Sequence, residues 1–456
     1  MAAVEKFFGA LNGFLWDYIL IILLVGTGVW FTLNLKFIQV RKFTEGFKRT
    51  FGNMFKKQGD AGKDGMSSFQ ALATAIAAQV GTGNIAGAAT AIAVGGAGAI
   101  FWMWISAFFG MATIYAEATM AQKYKTKDEN GQVTGGPVYY IKAAFKGTFG
   151  KILAGCFAVF IIFALGFMGN AVQSNSIGAA FQQAFGINPI IIGVIVAVLA
   201  FIVFAGGIKR IAQVTELLVP IMAIFYILGT LIVIIMNIGE LPRVLSDIVV
   251  GGFNPQAVAG GVAGATIKLA VQKGVARGLF SNEAGMGSTP HAHAVAKVKH
   301  PSEQGYVAMM GVFIDTFVIL NLTAFVILIT GVLTPDGSLT GTALSQAAFS
   351  ATFGKAGEIF LAVCLFFFAF STIIGWYFFG EANVKYLFGE KALKVYAVLV
   401  CVCIVIGSAL KVELVWTMAD CFNGLMVIPN LIGLWALTGV VKQIDKESNQ
   451  FGIKTK

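Results

Sequence analysis

The stretch ALATAIAAQVGTGNIAGAATAIAVGGAG (Ala71–Gly98) decides how this chain folds. It is long enough to cross a bilayer and carries no charged residue, yet its middle holds Gln79 and the polar run Gly81–Asn84. Glycine weakens a helix by about 1 kcal/mol relative to alanine, and backbone groups freed in the hydrocarbon region must be satisfied by protein, water or a ligand. A membrane span that breaks where polar side chains cluster is typical of a midplane binding site in a secondary transporter.

The composition also indicates a membrane protein. Of the 456 residues, 57% are hydrophobic and 12% are charged, with a mean hydropathy of +0.81, whereas soluble domains carry about 25% charged residues. Glycine occurs 55 times, and small residues let helices approach closely in lipid. The five cysteines lie in apolar segments, so we interpret them as buried hydrophobic residues and not as a disulfide or zinc framework. The N-terminal sequence predicts no cleavable signal peptide.

Hydropathy predicts an all-α integral membrane fold with eleven transmembrane helices, since a bilayer core needs about 20 apolar residues per helix. Several of the apolar segments exceed one straight crossing, which implies tilt or kinks. The predicted spans run near 15–35, 67–95, 98–121, 151–183, 188–206, 210–238, 257–290, 304–333, 355–384, 393–410 and 412–440.

Lysine and arginine predict the orientation of these spans. With the 36–66 loop on the cytoplasmic side, alternate connections and the C-terminal tail hold 25 of the 32 basic residues, and the opposite side holds four. The sequence therefore predicts a multi-pass protein of the plasma or inner membrane, with an external N-terminus and a cytoplasmic C-terminus. The same distribution explains the basic composition without nucleic acid.

A second span is interrupted in a similar way. The segment Gly260–Ala294 contains Gly274, Gly278, Gly285 and Gly287. Five spans separate the starts of the two interrupted helices, so they run in opposite senses, as in an inverted-repeat transporter. Half-helix N-termini favour a carboxylate and freed carbonyls favour a cation. A zwitterionic amino acid and Na⁺ match those two needs.

Four motifs make the chain similar to the alanine/glycine:cation symporter family, within the leucine-transporter fold superfamily. The resemblance implies sodium-coupled uptake of alanine, glycine or D-alanine by alternating access. It also implies a ten-helix core, arranged as a 5+5 inverted repeat, behind one extra N-terminal helix. The motifs are QVGTGNIAG (Gln79–Gly87), GGPVYYI (Gly135–Ile141), RGLFSNEAGMGSTPHAHA (Arg277–Ala294) and STIIGWYFFGE (Ser371–Glu381).

These arguments divide the chain into four parts. Residues 1–66 form the extra helix and a basic cytoplasmic loop, and residues 67–238 form the first repeat of five spans. Residues 239–440 form the second repeat, and residues 441–456 form a cytoplasmic tail.

The first break supplies the leading candidates for substrate binding. Backbone N–H groups of Thr82, Gly83 and Asn84 are expected to hold the substrate carboxylate, because glycine lets the main chain approach a ligand closely. The amide of Gln79 can donate and accept. The alternatives are that the glycines serve only helix packing and that Gln79 makes only an interhelical hydrogen bond.

Other candidates lie on three further spans, and each has an ordinary packing role as its alternative. Asn170 is expected to reach the substrate, carbonyls of the second interrupted helix to accept from its amine, and two aromatic rings to line a small pocket. The second-helix candidates are Gly274, Val275 and Gly278, and the aromatic candidates are Phe167 and Trp376.

A sodium site is implied by the family resemblance. The carbonyls of Ala77 and Val80 would meet the hydroxyls of Ser371 and Thr372, since Na⁺ prefers hard oxygen ligands. The alternative is that both hydroxyls bond back to their own helix.

Ionisable residues within predicted spans are functional candidates by default. Arg277 and Glu283 flank the second interruption, where they could pair and gate or hold the loop. Protonation of an acidic side chain would keep H⁺ coupling open as an alternative to Na⁺. The acidic candidates are Glu117, Glu216, Asp315 and Asp420, whereas we interpret His291, His293 and His300 as a solvated helix end.

Other function classes fit less well. A channel or receptor is the first alternative, but no repeated pore-lining filter is present. No zinc-protease motif, nucleophile elbow or nucleotide-binding loop occurs, which argues against an enzyme and against ATP as the energy source. The sequence leaves the oligomeric state open and implies two partners, the amino-acid substrate and membrane lipid.

Overall fold

A computed structural model describes residues 2–52, 65–258, 262 and 264–450. The part of the predicted basic loop at 53–64 and the end of the tail at 451–456 therefore lie outside the described residues. The described residues are mostly helical and include one short hairpin of β1 (Thr126–Lys127) and β2 (Val133–Thr134). Before the hairpin lie α1 (Ala2–Phe14), α2 (Leu20–Asn34), α3 (Ile38–Arg41), α4 (Phe43–Phe51), α5 (Ser68–Gln79), α6 (Gly83–Gly95) and α7 (Gly98–Lys123).

After the hairpin the chain continues as a series of helices linked by short turns. These are α8 (Pro137–Ala144), α9 (Thr148–Phe185), α10 (Pro189–Phe204), α11 (Gly207–Met236), α12 (Leu241–Phe253), α13 (Ile267–Asn282), α14 (Pro290–Ala294), α15 (Pro301–Thr330), α16 (Gly341–Phe353), α17 (Lys355–Phe388), α18 (Leu393–Ala409), α19 (Val412–Ala436) and α20 (Thr438–Gln450).

Seven helices in the described ranges are long and apolar enough to cross a membrane on their own, namely α7, α9, α11, α15, α17, α18 and α19. Three shorter apolar helices, α2, α6 and α10, lie at further predicted spans. The chain is thus a multi-pass membrane protein. The count of eleven spans stays a prediction, because the remaining ones are assembled from shorter or interrupted helices.

Glycine allows the close approach of several helices. A Cβ on Gly98 would lie 2.0 Å from the Gly251 carbonyl oxygen, and a Cβ on Gly375 would lie 2.9 Å from the Ala78 side chain. In lipid, where apolar burial gives little drive for association, such contacts let the backbones pack tightly. The α5–α17 contact at Gly375 places the first break directly against α17.

Two long helices contain π-helical segments, Ile162–Gly169 in α9 and Phe313–Leu320 in α15. Segments of this kind often occur at functional sites because they redirect side chains and free backbone groups. The first segment ends one residue before Asn170, and the second contains Asp315. Both therefore point to the region where the interrupted helices meet.

Candidate functional site

The first interruption lies where the sequence places it. Helix α5 begins with a capping box between Ser67 and Gln70 and ends at Gln79. Val80 leaves the helix with φ −84° and ψ 87°, and the chain rewinds at Gly83. Instead of a helical hydrogen bond, the Gly81 N–H donates to Asn84 Oδ1 at 2.9 Å. The Asn84 side chain therefore stabilises the break.

The four predicted sodium ligands meet at this break. Thr372 Oγ1 lies 2.8 Å from the Ala77 carbonyl oxygen and 3.4 Å from that of Val80, and Ser371 Oγ lies 3.4 Å from the Ala77 oxygen. Both hydroxyls can also donate to their own helix at the Phe368 carbonyl. When they do, hydroxyl and carbonyl oxygens face each other as acceptors, an arrangement that suits a hard cation.

Glycine at position 81 is required by this contact. A Cβ there would lie 2.3 Å from Thr372 Oγ1 and 3.1 Å from Gln173 Oε1. A side chain would therefore push α17 and α9 away from the unwound backbone.

Five buried polar atoms near the break have no hydrogen-bond partner within the part of the chain that the structure describes. Unpartnered buried polar atoms are uncommon in proteins and call for an explanation such as a ligand or water. Together they offer acceptor, donor and hydroxyl groups, which suit a small zwitterion. The atoms are Gln79 Oε1, Thr82 Oγ1, Asn170 Oδ1, Gln173 Nε2 and Ser174 Oγ.

Sequence reasoning missed Gln173 and Ser174. They follow Asn170 by three and four residues, so all three share one face of α9. Gln173 Oε1 accepts from the Thr82 N–H at 3.1 Å, whereas Asn170 Nδ2 donates to the Gly166 carbonyl at 3.0 Å. The polar spacing in NAVQSNS (170–176) was the signal that could have identified them.

The second interruption includes Gly285 and Gly287 of the predicted glycine pattern but not Gly274 and Gly278. Helix α13 is wound from Ile267 to Asn282, and the unwound segment runs over 283–289. Positive φ angles occur at Glu283 (59°), Gly285 (91°) and Gly287 (80°). A non-glycine residue in this conformation is uncommon, so Glu283 marks the start of the break.

The prediction that three residues of this helix offer freed carbonyls to the substrate amine is wrong. Gly274, Val275 and Gly278 all lie inside the continuous helix α13. A Cβ on Gly274 would lie 2.4 Å from the Ala99 carbonyl oxygen, and one on Gly278 would lie 3.2 Å from Ser106 Oγ. These two glycines therefore allow α13 to pack closely against α7.

Glu117 of α7 holds the unwound segment. Its carboxylate accepts from the Gly285 N–H at 3.0 Å and from the Gly287 N–H at 2.9 Å. Asn430 of α19 donates to the same carboxylate at 2.6 Å, and Tyr140 of α8 donates to Asn430. Three neighbouring helices thus fix the conformation of the second break through one carboxylate.

The two interruptions contact each other through polar side chains. Asp315 Oδ1 accepts from Asn84 Nδ2 at 2.6 Å and from Ser281 Oγ at 2.9 Å. Gln79 Nε2 donates to the Asn282 carbonyl oxygen at 2.7 Å. Asp315 of α15 and the Gln79–Asn282 bond therefore link the two interrupted helices at hydrogen-bond distance.

Trp376 connects the second break to α17 and α9. Its indole N–H donates to the Glu283 carboxylate, which also accepts from Ser288 Oγ at 2.5 Å. The ring leaves no room for a side chain at Gly169, where a Cβ would lie 2.6 Å from it. By contrast, Phe167 packs on Phe163 and Tyr396, at 5.8 Å between ring centroids in each case.

Arg277 pairs with Asp420 of α19 and not with Glu283, which corrects the pairing considered from the sequence. Its two terminal nitrogens reach the two carboxylate oxygens, the Nη1–Oδ1 contact being 3.0 Å, and both side chains are only 9% exposed. The guanidinium also lies 4.6 Å from the centre of the Trp416 ring. Glu283 is closer to Arg277 along the chain than Asp420 is, but the turn at Glu283 directs its carboxylate toward Trp376.

The histidines at the end of the second interrupted helix are also not as expected. His291 and His293 are buried, with His291 Nε2 2.8 Å from Asn383 Nδ2 and His293 Nδ1 2.8 Å from Gln304 Nε2. Within the described ranges, no group of three or more His, Cys, Asp or Glu side chains forms a metal cluster.

Two interrupted helices around a polar centre, inside a bundle of apolar helices, define the chain as a membrane transporter. The structure shares the leucine-transporter fold with the crystal structure of MhsT in complex with L-phenylalanine. That match has a TM-score of 0.59 at 14% identity and covers 85% of this chain and 99% of MhsT.

The chain belongs to the sodium:alanine symporter family, whose sequence model matches residues 1–452. The sodium/alanine symporter AgcS of Methanococcus maripaludis is 44% identical over 442 residues, which cover 96% of each chain. The probable sodium/glutamine symporter GlnT of Bacillus subtilis is 45% identical over 442 residues, covering 96% of this chain and 89% of GlnT. The family resemblance found in the sequence is confirmed, and the chain is a transporter and not an enzyme.

Proposed function

We propose that this protein imports a small neutral amino acid together with Na⁺ by alternating access. The observation that carries the proposal is the set of unpartnered polar atoms beside a group of four oxygens that suit a cation, both at the break after α5. A zwitterion needs donors for its carboxylate and acceptors for its amine, and this break supplies both.

The proposed coupling passes through residues 80–82. Na⁺ between the carbonyls of Ala77 and Val80 and the hydroxyls of Ser371 and Thr372 orders the unwound backbone. The ordered backbone presents the Gly83 N–H and the Thr82 hydroxyl to the substrate carboxylate, since the Thr82 N–H donates to Gln173 Oε1 and the Asn84 N–H donates to the Gly81 carbonyl. By linkage, bound substrate must raise the affinity for Na⁺ by the same factor. At an assumed 100 mV, one inward positive charge supplies about 2.3 kcal/mol.

The proposed substrates are alanine and glycine. Trp376, held by Glu283 and packed against Gly169, is the bulky side chain that we propose limits the length of the substrate side chain. GlnT is named for glutamine, and AgcS for alanine, at nearly equal identity to this chain. Overall identity does not separate these substrates, so the proposal assigns selection to the side chains around the unpartnered polar atoms, Trp376 among them.

The finer topology is part of the proposal. The core comprises ten spans in two inverted repeats, 67–238 and 239–440, behind one N-terminal span, with the N-terminus outside. The five predicted spans between the starts of the two interrupted helices, which would give them opposite directions, and the 25-to-4 division of basic residues support it.

Proton coupling is the second candidate, and one observation favours it. Glu117, Glu283 and Asp315 are buried, and the hydrogen bonds described above come from neutral donors. A buried carboxylate without a cation partner is a suitable proton carrier.

Uptake of labelled alanine into proteoliposomes distinguishes the two ions. We expect accumulation with an inward Na⁺ gradient, and background uptake when K⁺ replaces Na⁺ or when a pH gradient is imposed alone. Accumulation driven by pH without Na⁺ would replace the sodium proposal with the proton alternative. Background uptake under all gradients, with alanine unable to compete for any other labelled amino acid, would reject both.

A further inference from the structure

A basic cavity of about 760 Å³ lies between the end of α2 and helix α20, far along the chain from either break. Helix α20 is attached to the core beside it, since Ser448 Oγ lies 2.7 Å from the Tyr306 hydroxyl of α15. The residues of the cavity that matter for recognition are Asn34, Lys36, Arg41, Lys442, Asp445 and Lys446.

The lining carries four cations and one carboxylate. Asp445 is already paired with Arg41 at 2.8 Å, and Arg41 also donates to the Leu35 carbonyl at 3.2 Å. Lys442 Nζ donates to Asn34 Oδ1 at 3.2 Å, which brings the two sides of the cavity together. Three lysines remain without an ion pair among the described residues, so the cavity favours an anion.

Two tryptophans indicate the depth of the cavity in the membrane. Trp30 and Trp435 are 49% and 44% exposed, and their indole nitrogens donate to Thr438 Oγ1 at 3.1 Å and Thr27 Oγ1 at 2.9 Å. Partly exposed tryptophans concentrate at the level of the lipid headgroups. Asn34 follows Trp30 by one helical turn, about 6 Å, so the cavity lies at headgroup level.

An apolar surface adjoins the cavity. Leu33, Phe37 and Val40 are 61%, 47% and 62% exposed, and all three lie between or beside cavity residues in the chain. A basic cavity beside exposed apolar side chains matches the two parts of an anionic lipid, and basic pockets between membrane helices bind such headgroups.

We propose that this cavity binds the headgroup of an anionic glycerophospholipid. The phosphodiester lies among Lys36, Lys442 and Lys446, with Arg41 held in place by Asp445, and the acyl chains lie along Leu33, Phe37 and Val40. The apolar surface and the headgroup depth favour a membrane lipid over free phosphate. The proposal is independent of which solute the protein transports.

The test measures the thermal stability of the purified full-length protein in detergent as phosphatidylglycerol or phosphatidylcholine is added. A ligand that binds only the folded state raises the melting temperature. We expect phosphatidylglycerol to stabilise the protein and phosphatidylcholine to do so much less. The double variant Lys442→Gln/Lys446→Gln should need about thirtyfold more phosphatidylglycerol, because each basic residue near a membrane surface contributes about 1 kcal/mol.

The matched control is Lys146→Gln/Lys151→Gln, which removes the same charge from two exposed positions away from the cavity and should respond like the unchanged protein. Three results would overturn the proposal: equal stabilisation by both lipids, an unchanged response of the cavity variant, or stabilisation by inorganic phosphate alone. The last result would assign the cavity to a soluble anion. A response lost equally in both double variants would reduce the effect to general surface charge.

Discussion

At the scale of single residues, the four candidate sodium ligands could be named from the family resemblance, because three of them lie in its motifs and Ala77 lies two residues before one of them. The structure places all four of their oxygens within 3.4 Å of a partner in the set. Gln173 and Ser174 could not be found from the break itself, because their relevance depends on which face of α9 meets α5. Helical spacing gives the face of a helix but not its neighbour.

Replacement of Thr372 by alanine tests the sodium site. The change removes the hydroxyl that contacts two freed carbonyls, so the Na⁺ concentration for half-maximal uptake should rise at least tenfold. Thr230→Ala is the matched control, because Thr230 is equally buried and bonds only within α11 at Tyr226 and Ile227. Unchanged Na⁺ activation of Thr372→Ala would remove Thr372 from the site.

Replacement of Gln79 by alanine tests the substrate region. Its side chain contacts the Asn282 carbonyl and leaves one oxygen without a partner in the described chain. The KM for alanine should rise about tenfold, a loss of about 1.4 kcal/mol, with the amount of folded protein unchanged. Gln39→Ala is the control, because Gln39 is also buried with one hydrogen bond, to Thr32 at 2.9 Å. Equal effects of the two variants would contradict a role for Gln79 in binding.

At the scale of helices, the first break was predictable, and the second was predicted only in its later part, at Gly285 and Gly287. Glycine has two uses in a membrane helix, unwinding and close packing, and the sequence pattern does not separate them. Gly81 is at a break, whereas Gly274 and Gly278 face α7 from inside a continuous helix. Only the left-handed turn at Glu283 and the glycines that follow it mark the second break.

Because glycine serves unwinding at one position and close packing at another, replacement by alanine should have opposite effects on uptake at Gly81 and at Gly278. Gly81→Ala places a methyl group 2.3 Å from Thr372 Oγ1 at the unwound backbone, and uptake should fall to background. Gly278→Ala meets Ser106 Oγ at 3.2 Å, a side chain that can move, and helix propensity favours alanine. Uptake by Gly278→Ala should stay within about twofold of the original protein. Loss of uptake in both variants, with folded protein present, would show that the freed carbonyls are not confined to the first break.

Removal of Glu117 tests its hold on the second break. Glu117→Ala leaves the Gly285 and Gly287 N–H groups without their acceptor, and each buried unsatisfied group costs about 1–3 kcal/mol. The melting temperature of Glu117→Ala in detergent should fall by several degrees. Glu117→Gln keeps one acceptor oxygen, so its melting temperature should lie between those of Glu117→Ala and the unchanged protein. Glu240→Ala removes an exposed ion pair with Arg243 and should change little. A melting temperature of Glu117→Ala equal to that of Glu240→Ala would exclude this stabilising role.

At the scale of the whole molecule, composition and hydropathy were enough to predict a multi-pass helical membrane protein, and the interrupted spans and family motifs identified it as a transporter. They could not supply the contacts between distant helices. Arg277 and Asp420 are 143 residues apart in the chain, and no local pattern connects them. The sequence suggested Glu283 as the partner of Arg277 because Glu283 is the acidic residue closest to it along the chain.

Cysteine labelling tests the predicted orientation. In a variant without native cysteines, a membrane-impermeant maleimide added to intact cells should label Lys355→Cys and not Lys146→Cys. Both positions are exposed, and the charge distribution assigns them to opposite sides of the membrane. Permeabilised cells should show labelling at both positions, which controls for reactivity. The reverse pattern in intact cells would invert the proposed topology.

The Arg277–Asp420 contact also limits which parts of the protein can separate during a turnover. Breaking a buried ion pair costs about 3–5 kcal/mol, more than the roughly 2.3 kcal/mol that one charge gains across 100 mV. Opening the pair would therefore raise the energy of the open intermediate by more than one charge gains, although re-forming it returns that energy within the cycle. We therefore expect helices α13 and α19 to move together during alternating access, with any relative sliding between this pair of helices and their neighbours.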